Sequence, residues 1–112
     1  MSDAPQKDTP VLVYSTFPDL ESARKAASHL VRQRLAACVN MIPGMRSIYV
    51  WDGEVADDEE IVFLAKTMQS GAEAVMQAIA ANHPYKEPAL LVFPTQGGSE
   101  GFCNWIATQV MP

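Results

Sequence analysis

The chain has 112 residues, of which 48% are hydrophobic, and its formal net charge at pH 7 is -5. This length and apolar content predict a single globular domain, and they exclude both a disordered chain and a second domain. The acidic balance argues against nonspecific binding to nucleic acid or to an anionic membrane, because both need a strongly basic face. The clustered basic residues Arg24, Lys25, Arg32 and Arg34 fall in one predicted helix and are typical of its solvated side.

The cysteine content indicates the compartment. Cys38 and Cys103 are the only cysteines, and two thiols make neither a disulfide framework nor a zinc site. Both are predicted to be small buried residues of a reduced, cytoplasmic protein. Residues 1–10 are polar and contain proline, so we expect a flexible tail rather than a secretory signal, followed by one domain over residues 11–112. No apolar run reaches the ~20 residues needed to span a bilayer.

The first predicted strand covers residues 11–17, which form an apolar and partly β-branched run. Pro18 and Asp19 then end the strand and provide an N-cap for a helix. Apolar residues recur at helical spacing between Leu20 and Val31, which predicts that this helix presents one face to a core.

Strand character resumes over residues 35–42 and again over residues 47–51. The intervening Pro43-Gly44 predicts a bend or bulge within one long strand. Asp52-Gly53 then predicts a two-residue hairpin, where the chain reverses. The acidic run over residues 57–60 has no metal-ligand spacing and is expected to be a solvated loop.

The second half of the chain repeats the order strand, helix, strand. The strands are predicted over residues 61–67 and 89–93, and a short last helix begins after Ser99. Ser70 and Glu73 match a capping box for the intervening helix. The elements therefore follow the order β-α-β-β-α-β with an additional C-terminal helix, which predicts an α+β, ferredoxin-like fold.

The third predicted strand indicates an oligomer. It is apolar on both faces, at Ile61, Phe63 and Ala65 on one side and at Val62 and Leu64 on the other. Helices cover only one face of such a sheet, so the other face needs a partner, and we predict a homo-oligomer. The alternative is that the last helix folds over the open face by itself.

The best candidate site is the segment of residues 83–88, His-Pro-Tyr-Lys-Glu-Pro. His83 is expected where a helix C-terminus meets the fourth strand, and the unpaired carbonyls there favour a cationic imidazole. The alternative interpretation is structural, with Pro84 ending the helix and His83 capping it. Lys66, at the end of an apolar strand, either holds an anion or extends into solvent.

No residue set supports catalysis. Cys38 and His83 are a possible nucleophile and base, but no spacing places them together and no third residue orients the histidine. The loop after the first strand lacks the Cys-x-x-Cys of a copper chaperone, and no phosphate-cradling glycine motif is present. The chain is therefore expected to be non-enzymatic and to need no organic cofactor.

Short motifs in a fixed order resemble one protein family. They are Leu35–Asn40, Ile42-Pro43-Gly44, Ser47–Trp51 with Gly53, Lys66-Thr67, His83-Pro84-Tyr85 with Pro88, and Asn104-Trp105-Ile106. In this order and spacing they resemble the CutA divalent-ion-tolerance family, from about Val11 to Val110. The resemblance implies a compact homotrimer of ferredoxin-like subunits, similar in architecture to the PII signalling proteins, with long strands joining across subunits.

The resemblance also implies a metal function. Copper binding in the family is attributed to a cysteine at the end of the first strand and to two adjacent histidines. The corresponding positions here hold Thr16, Asn82 and His83, which leaves His83 as the candidate metal contact. One imidazole with a hydroxyl and a carboxamide is a poor soft-metal site, although an oligomer could bring several copies of His83 together.

Other retained residues imply a small cleft between subunits that admits an anion or a small polar ligand: Tyr49, Trp51, Lys66, Tyr85 and Trp105. The leading hypothesis is a non-enzymatic, trimeric protein that binds Cu(II) or another divalent cation in the response to metal ions. The competing hypothesis is a structural or signalling trimer that anchors an unidentified protein partner or binds a small polar ligand, with metal binding incidental.

Overall fold

A computed structural model describes residues 8–111. Its strands are β1 (Pro10–Phe17), β2 (Cys38–Trp51), β3 (Glu54–Met68) and β4 (Leu91–Pro94). They form one sheet with the order β2-β3-β1-β4, and each neighbouring pair is antiparallel. Residues 1–7 of the expected N-terminal tail lie outside the described residues, so the tail stays a prediction.

Helices complete the fold between and after the strands. They are α1 (Leu20–Arg32), α2 (Ala72–Ala81) and α3 (Glu100–Gln109), with a short 3-10 turn at Gln69–Gly71 ahead of α2. The order β-α-β-β-α-β followed by α3 confirms the predicted α+β, ferredoxin-like fold with its additional C-terminal helix.

The core lies between one face of the sheet and helices α1 and α2. Side chains alternate between the two faces of β1 and β3, so that Val13, Phe17 and Phe63 are fully buried. The rings of Phe17 and Phe63 lie with their centroids 4.8 Å apart. Leu30 of α1 and Ile79 of α2 pack into the same cluster. This cluster anchors the C-terminal end of β1, next to the site described below.

Strands β2 and β3 form a long hairpin. Asp52 (φ 53) and Gly53 (φ 80) make its two-residue turn in the left-handed region, as the Asp-Gly sequence predicts. A register shift after Ile42, with Gly44 at φ 87, confirms the predicted bulge. The prediction that the acidic run forms a loop is wrong, because residues 57–60 pair with β2. The hairpin turn keeps both strands in register, which outweighs the low strand propensity of Asp and Glu.

Two further local predictions were wrong. Ser70 does not cap α2, because its hydroxyl donates to Asp8 at 2.7 Å and its backbone N–H donates to the same carboxylate at 3.0 Å. Gly71 is the N-cap residue instead. The fourth strand runs over Leu91–Pro94 rather than over residues 89–93, because its pairing with β1 sets its limits.

The face of the sheet opposite α1 and α2 is only partly covered. Helix α3 packs over one end, where Ile106 is buried and the ring of Phe102 lies against Lys66. The guanidinium of Arg34 holds α3 in place by donating to the carbonyls of Thr108 and Gln109. The rest of this face and the hairpin expose large apolar side chains: Ile42, Ile48, Val50, Trp51, Val55, Leu91 and Phe93.

Both cysteines are free and partly exposed rather than buried as expected. Cys38 is the first residue of β2, at one end of the sheet, and Cys103 lies on the short α3, so neither is enclosed by the core. Within residues 8–111, no helix has the length and apolar character needed to cross a bilayer.

Candidate functional site

The imidazole of His83 covers the free edge of β1. Strand β4 pairs with β1 only as far as Tyr14, so the last residues of β1 lack a strand neighbour on that side. His83 follows α2 and brings its ring to this edge, where Nε2 lies 2.6 Å from the carbonyl oxygen of Thr16. The ring also packs on Phe17, with centroids 4.2 Å apart. Positions 16 and 83, far apart in sequence, therefore form one contact.

The capping role expected for His83 is not observed. Asn82 is the C-cap of α2, and its side-chain amide donates to the carbonyl of Ala78 at 2.8 Å. His83 contacts α2 through its backbone N–H, which lies 3.4 Å from the carbonyl of Ala80. Because Asn82 ends the helix, the ring of His83 can contact the carbonyl of Thr16 in β1 instead.

The two hydrogen bonds of the His83 ring distinguish its two nitrogens. The carbonyl of Thr16 can only accept, so Nε2 carries a hydrogen and donates it. The backbone N–H of Tyr85 donates to Nδ1 at 3.0 Å, so Nδ1 presents its lone pair. These two contacts fit the tautomer with its hydrogen on Nε2.

Tyr85 lies between the imidazole and a group of carboxylates. Its ring centroid is 5.0 Å from that of His83. Burial raises the pKa of Tyr85, and the negative charges of Glu60, Asp58 and Asp19 raise it further. Carboxylates from β3 and from the N-cap of α1 therefore act on the phenol of Tyr85, whose ring packs on His83.

Tyr49 belongs to the same surface through Asp58. Its phenol donates to the Asp58 carboxylate at 2.5 Å, and this hydrogen bond raises the pKa of Tyr49 to about 12. Asp58 and Glu60 are two residues apart in β3, so both side chains leave the strand on one face. The prediction that the acidic run is a loop does not identify these two carboxylates as part of a site. Their i, i+2 spacing, directly before an apolar strand, is the sequence signal that would have indicated a shared strand face.

The other predicted cleft residues lie elsewhere on the chain. The ammonium of Lys66 donates to Asn40 at 2.7 Å and lies 5.5 Å from the ring centroid of Phe102. Trp105 stacks on Phe102 with centroids 5.7 Å apart, and Trp51 is 73% exposed at the end of β2. One chain therefore places Tyr85 against His83, and Lys66 and Trp105 beside Phe102. Tyr49 and Trp51 are two residues apart in β2, on one face of that strand. A cleft formed between subunits stays a prediction.

The donors around His83 fit a divalent cation only in part. A metal-binding histidine usually donates its second ring N–H to a carbonyl or a carboxylate, and the bond from Nε2 to Thr16 is of this kind. Nδ1 is then the nitrogen left for a metal, which would replace the hydrogen bond from the Tyr85 amide. In the described part of the chain no three His, Cys, Asp or Glu residues form a metal-ligand group. One chain therefore does not supply the donors of a tight copper site.

Cys38 and His83 do not form a catalytic pair. Cys38 pairs with Lys66, and Lys66 pairs with Leu12 near the start of β1. His83 contacts Thr16, near the other end of β1. Four residue steps separate Leu12 from Thr16, which is about 13 Å along a strand. The thiol is therefore beyond the reach of the imidazole.

Comparison with known proteins places the chain in one family. Residues 11–109 match the family model described as CutA1 divalent ion tolerance protein. The chain is 39% identical over 106 residues to the divalent-cation tolerance protein CutA of Pectobacterium atrosepticum, covering 95% of this chain and 96% of that protein. It is 40% identical over 96 residues to the chloroplastic protein CutA of Arabidopsis thaliana, covering 86% of this chain. The chain spans about half the length of the plant chloroplast relatives that it matches.

A solved structure shows the same fold. The crystal structure of CutA from Xylella fastidiosa superposes with a TM-score of 0.89 and 36% sequence identity. The match covers 92% of this chain and 99% of that chain.

Proposed function

Since the chain belongs to the CutA1 divalent ion tolerance family, we propose that it binds divalent cations, Cu(II) first among them, in the response to metal ions. In this proposal it acts as a non-enzymatic, cytoplasmic homotrimer, similar in architecture to the PII signalling proteins. Two free cysteines are consistent with a reducing compartment. His83 is the proposed metal contact.

The observation that carries the proposal is the hydrogen bond from Nε2 of His83 to the carbonyl of Thr16. It holds the ring in the tautomer and orientation in which a metal-binding histidine is usually held. Nδ1 then supplies the lone pair, and the charges of Asp58 and Glu60 attract a cation to the region. Imidazole suits Cu(II), which binds nitrogen donors more tightly than Zn(II) does.

The homotrimer is supported by the apolar surface of the hairpin. Ile48, Trp51 and Val55 are 71%, 73% and 72% exposed in the single chain. Ile48 shares one face of the hairpin with Val50 and its partner Val55, and contiguous apolar surface of this kind is rare on a monomer and marks a contact between proteins. Further copies of the chain would also supply the additional donors that a tight copper site needs.

Isothermal titration of the purified oligomer with Cu(II), and with Zn(II) in parallel, tests this proposal. We expect saturable binding with one ion per subunit or one per trimer, and a higher affinity for Cu(II). His83→Ala is expected to lower the Cu(II) affinity by more than about tenfold, since losing even a supporting partner of a metal ligand costs that much.

The matched control for this titration is His29→Ala, because His29 is the other histidine of the chain and is exposed on α1. Its Cu(II) affinity is expected to equal that of the unaltered protein. Equal affinities in all three proteins would remove His83 as the metal contact. Weak, unsaturable heats from the unaltered protein would remove metal binding as the function.

The alternative function is a structural or signalling trimer that anchors another protein or holds a small polar ligand between subunits. It is favoured by the occupancy of the His83 ring, because both of its nitrogens already have hydrogen-bond partners within one chain. Under this alternative, metal binding is incidental, and the His83→Ala trimer retains its protein partner and its cleft ligand.

A further inference from the structure

A basic groove of ≈ 560 Å³ runs along the solvent side of α1 and reaches Asn82 at the end of α2. Its cations are Arg24, Lys25 and Arg32, and Ser28 and Gln33 add polar groups, with His29 also at its border. Arg24, Ser28 and Arg32 recur at intervals of four and form one row on the helix, and Lys25, His29 and Gln33 form the adjacent row. From Arg24 to Arg32 the row spans eight residues, or about 12 Å of helix.

The cations of the groove do not form close ion pairs with carboxylates in the part of the chain that the structure describes. Among residues 8–111, the ion pair within 4.0 Å joins Arg46 to Asp57 on the hairpin, and no such pair involves the groove. The groove therefore concentrates three positive charges on one surface of a chain whose net charge is -5. Such a local potential attracts an anion even though the whole protein is acidic.

The dimensions of the groove favour a small anion over a protein. Its volume lies within the range of about 300–1,000 Å³ that is usual for small-molecule sites. Arginine binds phosphate through two parallel N–H donors, and lysine binds it as a point charge. A chain of linked phosphates carries negative charge along its length and could therefore reach the cations at both ends of the groove, Arg24 and Lys25 at one end and Arg32 at the other.

A second hollow of ≈ 270 Å³ continues the groove and shares Ser28 and Arg32 with it. Its remaining lining is apolar and consists of Ala27, Val31 and Val39. An apolar or aromatic group attached to the phosphate chain would lie in this hollow. Both hollows are on the helix side of the sheet, opposite its open face.

We infer that this groove binds a condensed phosphate chain, either free or carried by a nucleoside triphosphate. Arg32 holds the phosphates at one end of the groove, and Arg24 and Lys25 hold them at the other end. The site is independent of His83 and of any metal, so it stands or falls separately from the proposed function.

Isothermal titration with tripolyphosphate and with ATP tests the inference. The full-length oligomer is used at low salt with a chelator present, so that a phosphate held by a divalent cation does not contribute. We expect saturable binding with one ligand per subunit, and an affinity that falls as salt is added. ATP binding more tightly than tripolyphosphate identifies a nucleotide, whereas equal affinities identify a free phosphate chain.

Arg32→Gln is expected to lower the affinity about tenfold, because it removes a charge-assisted hydrogen-bond donor. Arg24→Gln/Arg32→Gln is expected to abolish binding. Glutamine is a good helix former, so α1 is retained, and circular dichroism checks this. The matched control is Arg46→Gln, which removes the same charge from the hairpin and should leave the affinity unchanged.

Three results would overturn the inference. The first is the absence of saturable binding for both probes. The second is an equal loss of affinity in Arg46→Gln and Arg32→Gln, which would reduce the effect to net charge. The third is tighter binding of a glutamate-rich peptide than of either phosphate probe, which would identify the groove as a contact for an acidic protein.

Discussion

Ser15 has a hydroxyl that is fully buried and has no hydrogen-bond partner among residues 8–111. Thr67, also fully buried, instead donates its hydroxyl to the carbonyl of Leu35 at 2.8 Å. A buried polar group without a partner costs about 1–3 kcal/mol, whereas a satisfied hydrogen bond contributes about 1 kcal/mol. The two hydroxyls are therefore expected to have opposite effects on the free energy of unfolding.

Ser15→Ala is expected to raise the free energy of unfolding by about 1 kcal/mol, because it removes the unpartnered hydroxyl. Thr67→Val, which keeps the side-chain shape, is expected to lower it by a similar amount. Urea denaturation of the three proteins measures both changes. A loss of stability in Ser15→Ala as large as that in Thr67→Val would show that the Ser15 hydroxyl is bonded in solution.

Tyr49 gives a prediction at high pH. Its hydrogen bond to Asp58 raises its pKa from 10.0 to about 12. Since the folded-state pKa is the higher one, the stabilisation is complete below pH 10.0 and is lost as the pH rises through about 12. Ultraviolet titration of the tyrosinates is expected to show late steps from Tyr49 and Tyr85, and Tyr49→Phe identifies the Tyr49 step by removing it. Asp58→Asn should move that step back towards 10.0. A Tyr49 step that stays near 12 in Asp58→Asn would contradict the assignment.

The N-cap residue determines where helix α1 begins. Asp19 has extended backbone angles (φ -151, ψ 162), and its carboxylate accepts the backbone N–H of Ser22 at 2.7 Å. This is the N-cap that the Pro18-Asp19 sequence predicts. The same helix buries a stripe of small residues, Ala23, Ala26 and Ala27, against the sheet and turns its basic row to solvent.

Asp19→Asn tests the cap, because it keeps an acceptor and removes the charge. The backbone hydrogen bond from Ser22 lowers the pKa of Asp19 from 3.8. The stabilisation is therefore complete above pH 3.8 and is lost as the pH falls through the native pKa. The variant is expected to melt a few degrees below the unaltered protein at neutral pH, and the difference should shrink in acid. Asp19→Ala, which also lacks the acceptor, should melt lower still; a difference independent of pH would contradict a charged cap.

The single chain is extended for its size. Its radius of gyration is 15.5 Å, whereas a compact chain of about this length has about 13 Å. The excess comes from the β2–β3 hairpin, which carries exposed apolar residues beyond the core. Helix α3 covers only one end of the open face. The alternative to an oligomer, in which α3 covers this face by itself, therefore explains only part of the apolar surface.

Trp51→Glu tests the proposed trimer, because it places a charge in the most exposed part of the hairpin. Sedimentation equilibrium is expected to change from three times the chain mass of 12.2 kDa to a single chain mass. Ala74→Glu, an exposed position on α2, adds the same charge away from the sheet and should remain trimeric. A Trp51→Glu trimer would exclude the hairpin from the subunit contact.

The sequence by itself determined the order of the elements, the Asp52-Gly53 turn, the bulge at Gly44 and the N-cap at Asp19. These features follow from backbone preferences and periodicity, which act over a few residues. The family also followed from the sequence, because its motifs occur in a fixed order.

Only the tertiary structure decided the site. The contact of His83 with Thr16 joins residues 67 positions apart, through a backbone carbonyl that has no side-chain signature. The acidic run forms a strand because it pairs with β2. Ser70 does not cap α2 because its hydroxyl donates to Asp8 instead. Such outcomes depend on which groups the sheet brings within hydrogen-bond distance, and local sequence preferences carry no information about them.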